Sequence, residues 1–350
     1  MLPVPGADAH QTRLLSTALR AGEDIDDEIA LVIPTSGTTG TPKGAMLSAR
    51  ALIASASATY DRIGGPGTWL LALPAHHIAG MQVLIRSALA GTTPVEVDVS
   101  GGFDLSALPA AVASMGAGRR YASLVAAQLA KALELPAATA ALAELDAILL
   151  GGGPAPEPVL KAAAAAGISV VRTYGMSETA GGCVYDGVPL DGVSVRLDSG
   201  RVVLGGATLA QGYRNPPDPD PFAEAGWFRT DDIGALDNSG KLQILGRADD
   251  AVSTGGLTVL PQLVESALAS HPALADVAVF GLPDDRLGQR VAAAIVLRPG
   301  APTPTVAELR THVTNVLAAT AAPREVHVVD ELPRRGIGKL DRRALVARFS

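Results

Sequence analysis

The sequence is poor in cysteine, in positive charge and in long apolar runs. Cys183 is the one cysteine among 350 residues, so no disulfide can form within the chain, and a reducing compartment is expected. A formal net charge of −7 offers no basic face for nucleic acid. No apolar run reaches the roughly 18 residues that span a bilayer, and residues 1–9 lack a signal-peptide pattern. We therefore expect a soluble, cytoplasmic protein that binds no nucleic acid and does not span a membrane.

Aromatic residues are also scarce, at 3%, but hydrophobic residues make up 48%, which is enough for a sizeable core. From residue 29 onward, short Val/Ile/Leu-rich runs alternate with Ala-rich helical stretches. This alternation predicts an α/β fold whose large N-terminal domain has parallel-rich sheets flanked by helices. Residues 183–213 indicate a small β-barrel-like part, and a small C-terminal α+β domain follows. The predicted domains are 1–248 and 249–350.

The densest functional signal lies at residues 35–44. This stretch joins three glycines and five hydroxyl side chains to a lysine, and its candidate phosphate-binding residues are Thr35, Ser36, Gly37, Thr38, Thr39, Gly40 and Lys43. A strand is predicted over 29–33 and a helix, capped by Ser48, over 49–60. Strand, glycine-rich loop and helix together present backbone N–H groups to a phosphate. The alternative is a flexible polar linker, and the spacing differs from that of a kinase-type P-loop.

Two further stretches carry candidate polar residues in apolar surroundings. His76 and His77 follow a strand and precede an apolar helix, and at most one of these adjacent side chains is expected to face a site. The alternative for His77 is a structural, hydrogen-bonded histidine. Arg86 lies within the apolar stretch 81–89, where a buried guanidinium needs an anionic partner. That partner is either an internal Asp or Glu or a carboxylate of the substrate.

The most specific segment is 174–179, which reads Tyr-Gly-Met-Ser-Glu-Thr. An aromatic ring can stack on a purine, a hydroxyl can meet an α-phosphate, and a carboxylate can hold Mg²⁺ bridging the phosphates. Upstream, a strand ends in the glycine turn 151–153, where the absence of Cβ atoms would let a flat base lie against the backbone.

In their order along the chain, these stretches resemble the signature segments of the adenylate-forming acyl-CoA synthetase superfamily. The resemblance implies ATP, Mg²⁺ and CoA as ligands. It places the residue 35–43 loop on the phosphates and the turn formed by Gly151, Gly152 and Gly153 beside adenine. It assigns adenine stacking to Tyr174, the α-phosphate to Ser177 and the metal to Glu178.

The downstream segments resemble the same superfamily. The resemblance gives Asp232 the ribose, Arg247 the ribose and phosphate, and Asp249 the role of a hinge between the domains. It places Gly255 and Gly256 at the CoA tunnel and makes Lys339 the catalytic lysine of a mobile C-terminal domain. Two positions depart from the pattern: Asp231 stands where glycine is usual, and Leu257 where glutamate is usual. Which of Asp231 and Asp232 binds ribose stays open.

Residues 69–77, the position of Arg86 and residues 181–187 look like the o-succinylbenzoate–CoA ligase branch of menaquinone biosynthesis. The acyl site implied by this resemblance comprises His77, Arg86, Met176 and Gly181, and the catalytic set comprises Lys339, Glu178 and His77. Fewer residues precede the loop than in typical members, which predicts a shortened first subdomain. The expected reaction is AMP-forming ligation of a carboxylic acid, o-succinylbenzoate, to CoA, and a homodimer is one expected assembly. The alternatives are another aryl- or acyl-CoA ligase, an adenylation enzyme, or a non-catalytic nucleotide-binding relative.

Overall fold

The computed structural model describes residues 1–6, 8–35, 42–99, 101–335 and 339–350. Its helices are α1 (Ala9–Ala18), α2 (Ala49–Ile63), α3 (Ile78–Ala90), α4 (Leu108–Ser114), α5 (Ala126–Leu133), α6 (Pro136–Ala143), α7 (Glu157–Ala165), α8 (Pro261–Leu268), α9 (Val306–Thr314) and α10 (Arg342–Phe349). Short 3₁₀ turns lie at Leu105–Ala107 and Ser177–Thr179. None of the helices in these ranges combines the length and the apolar character needed to cross a bilayer.

The strands are β1 (Ile29–Thr35), β2 (Lys43–Ser48), β3 (Thr68–Leu71), β4 (Val95–Glu96), β5 (Arg120–Val125), β6 (Ala147–Gly151), β7 (Val170–Met176), β8 (Gly181–Tyr185), β9 (Val188–Pro189), β10 (Val193–Asp198), β11 (Arg201–Gly206), β12 (Trp227–Leu236), β13 (Leu242–Arg247), β14 (Val252–Thr254), β15 (Leu257–Val259), β16 (Leu274–Asp284), β17 (Gly288–Leu297), β18 (Glu325–Val328), β19 (Arg334–Arg335) and β20 (Lys339–Leu340).

The largest sheet has seven strands in the order β4-β3-β5-β6-β7-β8-β9. Its pairs are parallel from β4 through β7 and antiparallel from β7 to β9. Helices α2 and α3 cover part of it, and Trp69, Tyr121 and Tyr185 are fully buried between these layers. The prediction of an α/β fold with parallel-rich sheets is confirmed. Because β6 and β7 are parallel neighbours, their carboxyl ends meet at one edge, where open α/β sheets bind ligands.

The predicted arrangement of strand, glycine loop and helix is wrong in one respect. Strand β1 is followed by a second strand, β2, which pairs with it antiparallel, and only then does α2 begin. Ser48 does cap α2 as predicted, because its Oγ accepts a hydrogen bond from the N–H of Ala51. The loop therefore joins two hairpin strands rather than leading into a helix N-terminus. The predicted phosphate-binding residues Ser36, Gly37, Thr38, Thr39 and Gly40 lie outside the described residues.

The chain divides into two compact units. The first contains residues 1–155, 162–198 and 202–230, and the second contains 156–161, 199–201 and 231–350. A four-stranded sheet of order β10-β11-β12-β13 corresponds to the predicted barrel-like part. The second unit has a sheet in which β15, β14, β17 and β16 are neighbours and β18 pairs parallel with β17. Its core includes Val264, Leu268, Ile295, Leu309 and Val313, which confirms the expected small α+β fold. The predicted boundary at 248/249 stays a prediction.

Candidate active site

The stem of the glycine-rich loop is held on both sides. Within the hairpin, Thr35 is paired with Lys43. The segment 210–214 runs along the other side of β2, where the N–H of Met46 donates to the carbonyl of Gly212 at 2.9 Å and Ala45 bridges Tyr213. These backbone bonds fix the end of the loop at Lys43 against a segment about 170 residues away along the chain.

Glu178 lies in the 3₁₀ turn that follows β7 and is only 7% exposed. Its Oε1 accepts a hydrogen bond from the Tyr213 hydroxyl at 2.5 Å, and its carbonyl accepts one from the N–H of Ala210 at 2.8 Å. The Lys43 Nζ lies 5.3 Å from the centroid of the Tyr213 ring. The structure thus brings together Lys43 and Glu178, two residues predicted for the phosphates and the metal, with Tyr213 between them.

Close backbone packing explains the glycines around this turn. Gly175 pairs with Gly182, and a Cβ at Gly175 would lie 2.1 Å from the carbonyl oxygen of Gly181. Met176 pairs with Gly181, whose φ of +102° suits glycine. The Thr179 hydroxyl donates to the Gly181 carbonyl at 2.7 Å. Met176 and Gly181, both predicted for the acyl site, are therefore direct neighbours.

The predicted adenine turn lies at the carboxyl end of β6, beside β7. A Cβ at Gly151 would approach the Thr173 Oγ1 to 2.5 Å, so this close strand approach requires glycine. Gly152 has a φ of +82°, while Gly153 has open space around its Cα. The turn and Tyr174 thus lie at the same sheet edge, as expected for two sides of one nucleotide site.

His77 is the N-cap residue of α3, and its ring centroid lies 4.3 Å from that of His76. Neither histidine lies in a regular helix or strand, so the argument from alternating sides does not apply to them, and the expectation that at most one of them faces a site stays a prediction. Burial lowers the pKa of His76. A Cβ at Gly80 would lie 2.4 Å from the carbonyl oxygen of Pro74, so the loop packs closely on the first turn of α3.

Arg86 is buried on α3, with 3% of its surface exposed. Its guanidinium donates to the Thr59 Oγ1 at 3.3 Å and lies over the Trp69 ring at 4.9 Å, and its Nε has no hydrogen-bond partner. Burial lowers the pKa of Arg86, against the electrostatic effects of Tyr185 and Tyr60. No carboxylate in the described part of the chain forms an ion pair with it, so the alternative of an internal Asp or Glu partner is wrong for those ranges.

In the second unit, Arg247 is the centre of an ionic cluster. It donates two hydrogen bonds of 2.8 Å to Asp249 and lies 3.5 Å from Asp231 and 3.7 Å from Asp232. Arg201 also pairs with Asp231 at 2.8 Å. Burial alone would lower the pKa of Arg247, but the hydrogen bonds and charge of Asp249, with the charges of Asp232 and Asp231, raise it. The predicted ribose and hinge residues are therefore in mutual contact.

The remaining predicted residues of this unit lie on two hairpins. Gly255 and Gly256 form the turn between β14 and β15, and their φ values of +59° and +78° suit a type I′ turn. Lys339 is exposed on β20, two residues before Asp341, which caps α10. Both hairpins present these residues at the surface of the second unit.

The side chains around Glu178 fit a Mg²⁺ ion that arrives with its nucleotide. Mg²⁺ is commonly bound through one or two carboxylates together with substrate phosphates and waters. Glu178 is one buried carboxylate whose Oε1 is already oriented by a hydrogen bond. Across the described ranges, no group of three or more His, Cys, Asp or Glu side chains is arranged to hold a metal. The donor set therefore suits a nucleotide-bridging ion better than a metal held by protein ligands alone.

Comparison with known proteins agrees with this geometry. Residues 7–213 match the family described as AMP-binding enzyme, and residues 263–339 match the AMP-binding enzyme C-terminal domain. The chain belongs to the AMP-binding enzyme family. This confirms the resemblance to adenylate-forming enzymes.

Individual members of the AMP-binding enzyme family are also similar over most of the chain. A probable 2-succinylbenzoate–CoA ligase from Mycobacterium tuberculosis is 69% identical over 97% of this chain and 90% of its own length. The solved o-succinylbenzoate CoA synthetase from Bacillus subtilis, in complex with the acyl-adenylate intermediate OSB-AMP, is 31% identical with a TM-score of 0.79. That match covers 91% of this chain and 69% of the other. The same synthetase in complex with ATP and a magnesium ion is 30% identical with a TM-score of 0.78, over 92% and 72%.

Sequence reasoning missed Tyr213, which contacts both Lys43 and Glu178. A signal was present, because Gly-Tyr-Arg-Asn-Pro at 212–216 places a tyrosine at the end of the small β region, just before a proline-rich loop. What the sequence does not show is that this segment returns to pair with β2.

Proposed function

We propose that this chain is an ATP-dependent, AMP-forming ligase that joins 2-succinylbenzoate to coenzyme A. The observation that carries the proposal is the buried Glu178 carboxylate, oriented by Tyr213 beside the Lys43 ammonium at the end of the loop. Such a set suits a metal-bound polyphosphate. The named acid follows from the 69% identical relative and from the solved synthetase with its acyl adenylate. This substrate agrees with the role in menaquinone biosynthesis that the sequence resemblance implies.

The proposed reaction has two steps in one site. A carboxylate oxygen of the acid attacks the α-phosphorus of ATP, the bond between the α-phosphorus and the β-phosphate oxygen breaks, and the products are an acyl adenylate and pyrophosphate. The thiolate of CoA then attacks the acyl carbon, and AMP leaves. When bound, Mg²⁺ supplies positive charge to the phosphate oxygens during the first step.

The proposed residue roles are those that the sequence resemblance implies, and they divide between the two units. In the first unit, Tyr174 stacks on adenine, Ser177 donates to the α-phosphate, and Lys43 and Glu178 hold the polyphosphate and its metal. His77, Met176 and Gly181 line the acyl pocket, and Arg86 binds the second carboxylate.

In the second unit, Asp232 and Arg247 bind the ribose. Lys339 opposes charge developing at the α-phosphate, and Gly255 and Gly256 admit CoA after rotation about Asp249. The two half-reactions require the lysine to leave before the thiol of CoA enters, because both groups approach the same acyl phosphate.

The test measures pyrophosphate release and thioester formation with 2-succinylbenzoate, benzoate and a medium-chain fatty acid. We expect the highest kcat/KM with 2-succinylbenzoate. A higher kcat/KM with another acid would show that this other acid is the substrate. ATP binding without turnover of any acid would favour the alternative of a non-catalytic nucleotide-binding protein. A homodimer and a cytoplasmic location stay part of the proposal, checked by light scattering and by cell fractionation.

The matched inactive variant is Glu178→Gln. The amide oxygen can still accept the Tyr213 hydroxyl, so thermal stability should be unchanged, but a neutral amide is a poor Mg²⁺ ligand. We expect pyrophosphate release to fall at least about 10²-fold, the effect of removing one preorganised electrostatic group. Full activity of this variant at saturating Mg²⁺ would show that Glu178 does not bind the metal.

A further inference from the structure

Tyr213 lies on a segment that is anchored to two parts of the first unit. The N–H of Arg214 donates to the Gly44 carbonyl at 2.8 Å, and the N–H of Gln211 to the Met46 carbonyl at 2.9 Å. The N–H of Ala210 donates to the carbonyl of Glu178 at 2.8 Å. The segment therefore connects the strand that leaves the glycine-rich loop with the turn that carries Glu178.

The Tyr213 side chain makes two different contacts from this position. Its hydroxyl donates to the Glu178 Oε1 at 2.5 Å, and its ring lies 5.3 Å from the Lys43 Nζ. The ring edge packs on Phe222, which packs on Phe228, and only 8% of Tyr213 is exposed. A packed aromatic ring with a short hydrogen bond has little rotational freedom, so it can set the orientation of both charged neighbours.

We propose that Tyr213 is a positioning residue for adenylation, holding the Glu178 carboxylate with its hydroxyl and the Lys43 ammonium with its ring. This inference rests on the proposed function of the site. Groups that orient a metal-ligating carboxylate are commonly worth about 10- to 100-fold in metal affinity or activity. The ring adds a cation–π contact that keeps the lysine near the phosphates before the nucleotide binds.

The test separates the hydroxyl from the ring. Tyr213→Phe keeps the ring, so we expect the Mn²⁺ affinity of the enzyme–ATP complex to fall about 10- to 100-fold. The affinity for ATP in the presence of EDTA should stay unchanged. Tyr213→Leu loses the ring as well, so ATP affinity in EDTA should also fall, by about 2- to 5-fold for a partly exposed cation–π contact. Free Mn²⁺ is counted by electron paramagnetic resonance, and ATP binding is measured by calorimetry.

Tyr121→Phe is the matched control. Tyr121 is a fully buried ring near the amino end of β5, and its hydroxyl donates to the carbonyls of Ile63 and Gly65. It should lose stability but bind Mn²⁺ and ATP normally. An unchanged Mn²⁺ affinity in Tyr213→Phe, or an equal loss in Tyr121→Phe, would overturn the proposal.

The same substitution made in the Glu178→Gln variant keeps the test decisive if Tyr213→Phe is less stable than the unmodified protein. With Glu178→Gln already present, the hydroxyl has no metal ligand to position, so adding Tyr213→Phe should lower Mn²⁺ affinity no further. A full additional loss would mean that Tyr213 acts on the fold alone. Because Mn²⁺–ATP binding needs no acid, this result is independent of the substrate, whereas failure of the unmodified protein to bind Mn²⁺–ATP would contradict the proposed function itself.

Discussion

Arg86 holds a positive charge in the interior of the first unit without a carboxylate partner in the described ranges. Its contacts there are the Thr59 hydroxyl and the Trp69 face, and its Nε is unpaired. Burying a charge without a partner costs free energy. An anionic ligand group that reaches Arg86 would therefore bind favourably. The second carboxylate of 2-succinylbenzoate is the group that the proposed function supplies.

Arg86→Met tests this role while keeping the apolar length of the side chain. We expect KM for 2-succinylbenzoate to rise at least about 10-fold, the effect of losing one charged hydrogen bond of about 1.5–3 kcal/mol. KM for ATP should not change, because the predicted nucleotide residues lie elsewhere. Steady-state kinetics with each substrate varied in turn gives both constants. If the two constants rise together, or only the thermal stability changes, Arg86 is structural.

Asp231 and Asp232 show what can and cannot be predicted for single residues. The motif selects Asp232 for ribose but leaves Asp231 unexplained. In β12 successive side chains alternate between faces, so Asp232 has an 11% exposed side chain while that of Asp231 is 59% exposed and pairs with Arg201. The period of two is visible in the sequence, but the arginine partner, 30 residues away, is not.

Arg342, on α10, links that helix to two other elements and one loop of the second unit. It donates to Asp250 at 2.8 Å, to both oxygens of Glu265 at 2.7 Å and to the Val279 carbonyl at 3.1 Å. Helix α10 is thereby attached to α8, to β16 and to the residue after the proposed hinge. Burial raises the pKa of Glu265, and the Arg342 charge acts against that shift. Because Lys339 lies three residues before Arg342, the same contacts set the place of the lysine hairpin.

We expect Arg342→Met to lower the free energy of unfolding by about 3 kcal/mol, because it leaves the Glu265 carboxylate buried without its partner. Arg342→Met combined with Glu265→Gln should recover much of that loss, since the unpaired charge is gone. Denaturant melts of the single and double variants measure both. Simple additivity of the two losses would show that Arg342 and Glu265 do not act as a pair.

At the scale of elements, most helices and strands were predictable, but β2 was not. The segment Lys43–Ser48 contains Lys, Gly and Ser, and its burial does not alternate regularly. Its stability as a strand comes from β1 on one side and from residues 210–214 on the other. Pairing with a segment so distant in sequence leaves no local sequence pattern that predicts β2. Helix α2, in contrast, is predicted by its N-cap residue Ser48 and by its alanine-rich composition.

For the whole molecule, the order of short motifs predicted the family and the α/β fold, and both are confirmed. Motif matching works here because each segment combines unusual residues that bind one part of a nucleotide. It failed for Tyr213, because the tyrosine contributes through a hydrogen bond to Glu178 across 35 residues and not through a distinctive local pattern. The roles proposed for Lys339, Gly255 and Gly256 involve movement of the second unit, and separate rates for the two half-reactions test them.

Lys339 is the residue whose substitution best tests this movement, because it belongs to the second unit while Glu178 and Lys43 belong to the first. It is exposed at the end of a hairpin whose following helix is anchored by Arg342, so its ammonium can extend from a well-supported base. In the first half-reaction its charge would oppose negative charge building on the acyl oxygen and the α-phosphate. In the second half-reaction the adenylate already exists, and under the proposed mechanism the thiol would need the space that the lysine would have occupied.

We therefore expect Lys339→Ala to lower pyrophosphate release at least about 10²-fold, the loss associated with one preorganised donor. Given synthetic acyl adenylate, the same variant should form the thioester with CoA at a nearly normal rate. Lys241→Ala, which removes another exposed lysine of the second unit, is the control and should leave both rates unchanged. Rapid-quench measurement of each half-reaction separates the two steps. Equal slowing of both by Lys339→Ala would mean that the lysine supports the fold or both conformations, and an alternating second unit would then be the wrong mechanism for this enzyme.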